Sequence, residues 1–437
     1  MPLAGVIIEL RPNLHSGSAV LRFAQNIPNN ETRIILKEHS VKVYETREDG
    51  TKEEHLIIHY NAFGMDIHGI STFIVSEQYI SFRFNYNHID LDGLDKQSVH
   101  VSVKPLMLRF IEDAFPITLH CNNCSAELVT ATTYKRLREF PTGIIEPAEF
   151  YCHLPVGPVP KSSLVPASTD LFYGLNYVVV ELRGLQKRVN FHGIHIYCAR
   201  CLRMLGHLIL QGSAAHLWAD ALHWRNNSKE AQPQSLFQHD SLTQFMLRML
   251  YCLWRPMMPQ LCLISGKALL WCALPNNERR YMEVLVLDPE LRILRRNSPD
   301  NPDLRGYRAC KLYFKVVNEY DEQLALWKSQ MNVPKLEISH VMFMALVGRF
   351  EKHMEEVPRA WRYNTWEEKM LLTYFVYENE EEEQLMATNH MIAQKLEQLS
   401  LANPPTPPPA ARNLASNDDA ECDDEHSDSD ETAKAKC

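Results

Sequence analysis

Alternation of apolar and polar residues sets the character of the first 115 positions. "HSVKVYE", "EEHLIIHY" and "YISFRFNYN" switch between the two classes at nearly every residue, the period of a strand with one buried face. Turn-prone "REDGTK" separates the first two, and "SVHVSVKPL" adds an alternating run at 98–106. The spacing predicts an antiparallel β-rich domain over residues 1–115, a sandwich or open barrel.

Farther along, the pattern becomes mixed. Over 116–210 it predicts a compact strand module holding "LNYVVVEL" and "GIHIYCARC". They follow "PVGPVPKSSLVPAS", whose four prolines in fourteen residues exclude a regular helix. Over 211–375 helical spacing alternates with strands. "SLTQFMLRMLYCLW" and "HVMFMALVGRFEKHMEEV" read as helices, and "DEQLALWKSQ" as a short one with acidic residues in its first turn. "LCLISGKALLWCAL", "YMEVLVLDPEL" and "CKLYFKVV" read as strands, giving a mixed α/β region. "SAAHLWADALHW" also shows helical spacing. The fold class expected for the whole chain is α+β. Residues 376–437 read as a charged helix followed by a disordered proline-rich and acidic tail.

Composition narrows the function classes. The chain has 437 residues, 45% hydrophobic and 23% charged, with a formal net charge of −9. That charge argues against general affinity for nucleic acid. Much of it is local: residues 413–437 hold nine Asp/Glu against two Lys. Arg248, Arg255, Pro256, Pro259 and Lys267 interrupt the most apolar region, Phe245 to Leu274, so no membrane-spanning helix is expected. The count of eleven cysteines is odd, and "MPLAGVIIELRPN" lacks the features of a secretory signal. A reducing compartment follows, the cytosol first and the nucleus as an open second.

In such a compartment paired cysteines point to metal or redox chemistry. Cys121 with Cys124 and Cys198 with Cys201 are two CxxC turns, each after a strand-like lead-in. Two such turns make a four-thiolate tetrahedral set of the zinc-ribbon kind. With four sulfurs the set is closed, so the Zn2+ would be structural and His120, His192 and His195 would find no vacancy. Between the inner cysteines lie 73 residues, a long gap that requires the intervening chain to fold back on itself. Two unrelated turns or a redox dithiol are the alternatives. No thioredoxin-like strand–CxxC–helix unit surrounds either pair.

A separate thiol, Cys152, stands beside His153 in "PAEFYCHLPVG". By itself the pair is weak evidence, since neighbouring side chains on a strand face opposite ways. A buried cysteine, a spare ligand and a nucleophile all remain open readings. The order of features around it is more specific. "FPTGIIEPAEFYCHLP", "SSLVPASTDLFYGLN" and "IYCARCLRMLG" follow the upstream CxxC in turn. Together they resemble the HECT-like ubiquitin-protein ligases, described as binding a ubiquitin-conjugating enzyme and cyclin B. Phe150 and Tyr151 stand where that family usually has Trp, and Leu164–Val165–Pro166 where it has Leu-Val-Gly.

The resemblance implies a ubiquitin-protein transferase with Cys152 as the cysteine needed for activity and His153 as its nearest imidazole. The conjugating enzyme, ubiquitin, protein substrates and, by family likeness, cyclin B would be its partners. It also implies a HECT-like region near "LEISHVMFMALVGRFEKHMEEV", although no cysteine lies between Cys310 and Cys422. It places conjugating-enzyme binding near "SAAHLWADALHW", where core packing is the competing reading. A non-enzymatic zinc-stabilised adaptor is the alternative function.

Overall fold

Two long strands, Arg279–Arg295 and Arg305–Asn318, pair antiparallel from Arg280↔Asn318 to Arg295↔Arg305. In this computed structural model the described residues are 3–27, 32–46, 50–99, 101–140, 165–185, 187–226, 232–254, 266–276, 278–296, 304–330, 333–364 and 369–378. The first long strand serves two neighbours along one edge. Near its start it takes Lys267–Ala273, and near its end it takes Leu3–Arg11 through Ile7↔Arg295 to Leu10↔Arg292. Between these stretches the register shifts at Val286, Asp288 and Leu291, around Pro289. Proline cannot donate to a ladder, so a bulge is where it fits.

From Leu3–Arg11 the sheet continues through Ser16–Phe23, Tyr79–Ile89 and Phe63–Ser76. On the opposite edge of the spine, Leu371–Val376 and Ser98–Val99 pair with Arg305–Asn318. Lys335–Glu337 completes a ten-stranded sheet. It draws strands from both sides of residue 115, so the N-terminal strands share one sheet with the C-terminal region.

Three of the five hydrophobic cores among the described residues position the site. A meander of Thr32–Lys37, Ser40–Thr46 and Lys52–His59 covers the N-terminal part, with Val41, Val43 and Ile58 against Ile80, Phe82 and Phe84. At the other end, helices Leu242–Trp254 and His340–Met354 pack on the sheet. Phe343, Leu346 and Phe350 of the second helix recur at helical spacing and are fully buried against Cys272, Met282, Phe314 and Phe375. Its N-cap is Ser339, which accepts a hydrogen bond from the Met342 amide at 3.0 Å.

The third core belongs to the cysteine-bearing region. A seven-stranded sheet runs in the order Arg136–Glu139, Asp170–Gly174, Tyr177–Glu181, Ala214–Trp218, Met204–Ile209, His195–Cys198, Val189–His192. Beside it lies a three-stranded sheet of Glu127–Thr132, Ile117–Cys121 and Leu222–Asn226. No helix among the described residues is long and apolar enough to cross a membrane.

Two sequence expectations change. Among its described residues, the run 98–106 is a strand only at Ser98–Val99. Beyond it, side chains of the Leu242–Trp254 helix stand in for ladder partners. Gln244 accepts from the Lys104 amide and donates to the Ser102 carbonyl, and Arg248 donates to the Lys104 carbonyl. "SAAHLWADALHW" is not helical. It is strand Ala214–Trp218, a tight turn at Ala219–Ala221 and strand Leu222–Asn226. All five residues of the first strand are buried, so both faces are covered and the two-residue period disappears.

Glu9 is buried at the centre of the large sheet. Its carboxylate meets Lys311 Nζ at 2.6 Å and Arg11 Nη2 at 3.3 Å, and accepts from the Tyr374 hydroxyl. Burial pushes its pKa up, but Lys311 and the hydrogen bonds overcome that and hold it below the ordinary value. A depressed carboxylate pKa stabilises the fold above the unfolded pKa of about 4.3, and that stability is lost as pH falls through the folded value. Glu9→Gln should therefore flatten the acid limb of the stability curve. It should also cost about 3–5 kcal/mol at neutral pH by stranding Lys311, measurable by urea unfolding across pH. Phe350→Ala should cost about 3–5 kcal/mol in the same assay by leaving a cavity.

Candidate functional site

Cys121 ends strand Ile117–Cys121 and Cys198 ends strand His195–Cys198. Both chains then turn in the same way. The Ser125 amide donates to the Cys121 carbonyl and the Leu202 amide to the Cys198 carbonyl, each at 2.9 Å. Ser125 and Leu202, one place after the second cysteine of each pair, both take positive φ, 54° and 59°. The two knuckles are thus local copies of one backbone bend.

The fold brings their sulfurs together. All four lie within 4.8 Å of one another, with Cys121–Cys201 at 3.7 Å and Cys124–Cys198 at 3.6 Å. A tetrahedral ion with bonds of about 2.3 Å to sulfur sets its ligands about 3.8 Å apart, so the cluster fits a four-thiolate metal site. Burial pushes the Cys121 thiol far up and Cys124 up to about 11. Cys201 is also raised by burial, but hydrogen bonds from Asn123 and Arg203 bring it down to about 7. Four neighbouring thiolates repel one another, and a bound divalent cation is what allows all four to ionise together.

Neighbours that the sequence did not flag hold the knuckles. Asn122 Nδ2 donates to the Asp220 carbonyl at 3.0 Å, and Arg203 Nη2 to the same oxygen at 3.2 Å. Asn176 Nδ2 lies 3.3 Å from both Asp220 Oδ1 and Ser339 Oγ, the cap of the His340–Met354 helix. A polar chain therefore links the cysteine cluster to that helix. Burial raises the Asp220 pKa. The asparagines inside "CNNC" were the available signal.

The histidines considered as ligands lie elsewhere. His120 contacts Thr118 Oγ1 at 2.8 Å and the Ser125 carbonyl at 3.2 Å, and stacks on His223. His192 is exposed on the edge strand. His195 is buried opposite His207 in the ladder. His207 stacks on His216 at 4.4 Å between ring centroids, and its Nδ1 is 3.6 Å from Glu337 Oε1. Burial, then His195 and Arg279, depress His207 to about 4, while burial pushes Glu337 up to about 8. At neutral pH this contact joins an uncharged imidazole to a largely protonated carboxyl.

Cys152 and His153 lie outside the described residues, but both roots of their segment are placed. Arg136–Glu139 and Asp170–Gly174 pair in parallel. The Phe140 amide donates to the Tyr173 carbonyl at 2.7 Å, and Arg136 Nε to Asp170 Oδ1 at 2.8 Å. These roots are at one edge of the seven-stranded sheet. The Cys198 strand is four strand spacings from Asp170–Gly174 and five from Arg136–Glu139, roughly 19 to 24 Å at about 4.8 Å per spacing. The segment that carries them therefore connects the two strands of a parallel pair. The expected docking stretch around Ala214–Trp224 is largely interior, with Leu217, Trp218, Leu222 and Trp224 buried.

The family described as HECT-like ubiquitin-conjugating enzyme (E2)-binding matches residues 9–370. The chain belongs to this family. Neither a curated protein nor a solved structure matches it. Membership of a HECT-like E2-binding family ties the chain to ubiquitin conjugation and to a conjugating enzyme as partner. The match runs through the large sheet and the cysteine region alike.

One bound divalent ion per folded chain is the expected result of native mass spectrometry. Cys198→Ser should remove it, and chelation should lower Tm, whereas Cys272→Ser should retain the ion. Glu337 has a raised folded pKa, so its contribution is present below about 4.3 and lost as pH rises through about 8. Glu337→Gln should flatten that decline, which runs from about pH 4.3 to about 8, in a Tm-versus-pH series.

Proposed function

We propose that this protein is a ubiquitin-protein ligase that accepts ubiquitin from a conjugating enzyme and passes it to substrate lysines, with Zn2+ in the four-cysteine cluster as a structural ion. The observation carrying this reading is the family match across residues 9–370. Chemistry supports Zn2+ because soft thiolates in tetrahedral array suit a closed structural site. Cys121, Cys124, Cys198 and Cys201 would hold it.

Cys152 is the thiol assigned to transfer. Cys272 and Cys310 are fully buried, and burial pushes Cys272 up to about 11 and Cys310 higher. Neither is a serviceable thiolate. In the proposed step the Cys152 thiolate attacks the carbonyl of the conjugating enzyme's ubiquitin thioester. A new thioester forms on Cys152 and the enzyme's thiolate leaves. A substrate lysine amine then attacks that thioester, forms the isopeptide bond and releases Cys152, losing a proton to solvent or a neighbouring base. His153 is assigned to favour the thiolate as its neighbouring imidazole.

The second reading is a non-enzymatic adaptor that binds the conjugating enzyme. It is favoured by the full burial of Cys272 and Cys310, which leaves neither thiol open to a partner. Incubation with ubiquitin-charged conjugating enzymes separates the two. A ligase shows a ubiquitin adduct on non-reducing gels, lost on reduction and in Cys152→Ala, with the Tm and metal content of that variant unchanged. A folded, metal-loaded protein that binds the conjugating enzyme without the adduct is the adaptor.

A further inference from the structure

Strand Thr32–Lys37 is an outer strand of the meander, and only Ser40–Thr46 pairs with it. The two join through the turn Glu38–His39, closed by the pair Lys37↔Ser40. Hydrogen-bonded and non-hydrogen-bonded pairs alternate along such a hairpin from its closing pair. Arg33, Ile35 and Lys37 therefore spend their backbone groups on the neighbouring strand. Ile34 and Leu36 aim theirs outward, where no backbone partner meets them among the described residues.

A second edge runs beside this one. Phe63–Ser76 is the last strand of the large sheet on that side. The Met65 amide donates to the Glu38 carbonyl at 2.8 Å, and the Ile27 amide, shortly before Thr32 in the chain, to the Glu77 carbonyl at 2.7 Å. The two edges are thus tied near both ends, and between the ties the core is partly uncovered. Phe73 stacks on the buried Phe82 at 6.0 Å between ring centroids, and Val75 lies opposite the buried Ile80. Both are on the core side of the sheet, yet they are 47% and 46% exposed. Phe63–Ser76 offers no regular ladder there, because its register shifts between Asp66 and Ser71 and again before Ile74.

A strand added to Thr32–Lys37 would use the outward backbone groups and lay its inward side chains toward Phe73 and Val75. Charge decides what kind of strand. Arg33 and Lys37 stand exposed on the outer face with Ile35 between them, and neither has an ion pair among the described residues. A second copy of this strand, paired antiparallel about Ile35, would set Arg33 opposite Lys37, like charge against like. We propose that the occupant is an extended segment of a partner protein in which apolar residues alternate with Asp or Glu. Its backbone pairs with Ile34 and Leu36, its apolar residues cover Phe73 and Val75, and its carboxylates face Arg33 and Lys37. The inference stands apart from the ligase reading.

Fluorescence anisotropy with the full chain tests it, using a labelled peptide of alternating glutamate and valine about seven residues long. The peptide should bind saturably, and its lysine–valine counterpart should not. N-methylation removes backbone donors, so methylating one set of alternate residues should abolish binding while methylating the other set leaves it. Arg33→Glu combined with Lys37→Glu should weaken binding about tenfold, the scale of two exposed ion pairs, at unchanged Tm. Phe73→Ser should weaken it as well. Absence of saturable binding, equal behaviour of the two methylated peptides, unchanged affinity of either variant, or a dimer of the chain that the peptide dissociates would each overturn the proposal.

Discussion

Everything in the large sheet depends on the pairing of Arg279–Arg295 with Arg305–Asn318. Unpaired strand edges leave rows of backbone donors and acceptors without partners, a cost the chain avoids by giving both edges of this ladder neighbours. Because the first strand is seventeen residues long, its inner edge accommodates two unrelated strands in series. Pro289 and the register shifts around it separate them. The N-terminal strands and the helical layer thus hang on one ladder and need not fold as separate bodies.

The cysteine cluster imposes a second constraint of a different kind. Its two turns are set locally, but their meeting depends on the seven-stranded and three-stranded sheets sharing one hydrophobic core. Asp220 links that meeting to the N-cap of the His340–Met354 helix through Asn176 and Ser339. Loss of metal would therefore be felt beyond the cysteine sheets. A structural ion of this sort contributes folding free energy on the order of 10 kcal/mol, comparable to the whole net stability of a domain.

The two sides of the seven-stranded sheet carry different features. The Cys198 knuckle ends the strand next to one edge, and the other edge is the parallel strand pair that flanks the Cys152 segment. A parallel pair needs a long connection, and that connection is where the thiol lies. The aromatic-rich stretch around Trp218 and Trp224, attractive as a docking surface by composition, is used up as core.

The CxxC pairs, the long helix at 340–354 and the strand character of 79–87 were legible because each is a short-range pattern, fixed by turn geometry or by side-chain period. The Cys152 assignment came from the order of motifs, a resemblance that no local chemistry supplies. What only the tertiary structure decided was long-range. It paired Leu3–Arg11 with residues almost three hundred positions away. It turned "SAAHLWADALHW" into two strands, because burial on both faces erases periodicity. It replaced a ladder at 101–105 with side chains of a helix. Partner choice across such distances depends on which apolar faces and backbone edges remain to be covered, and a linear pattern records neither.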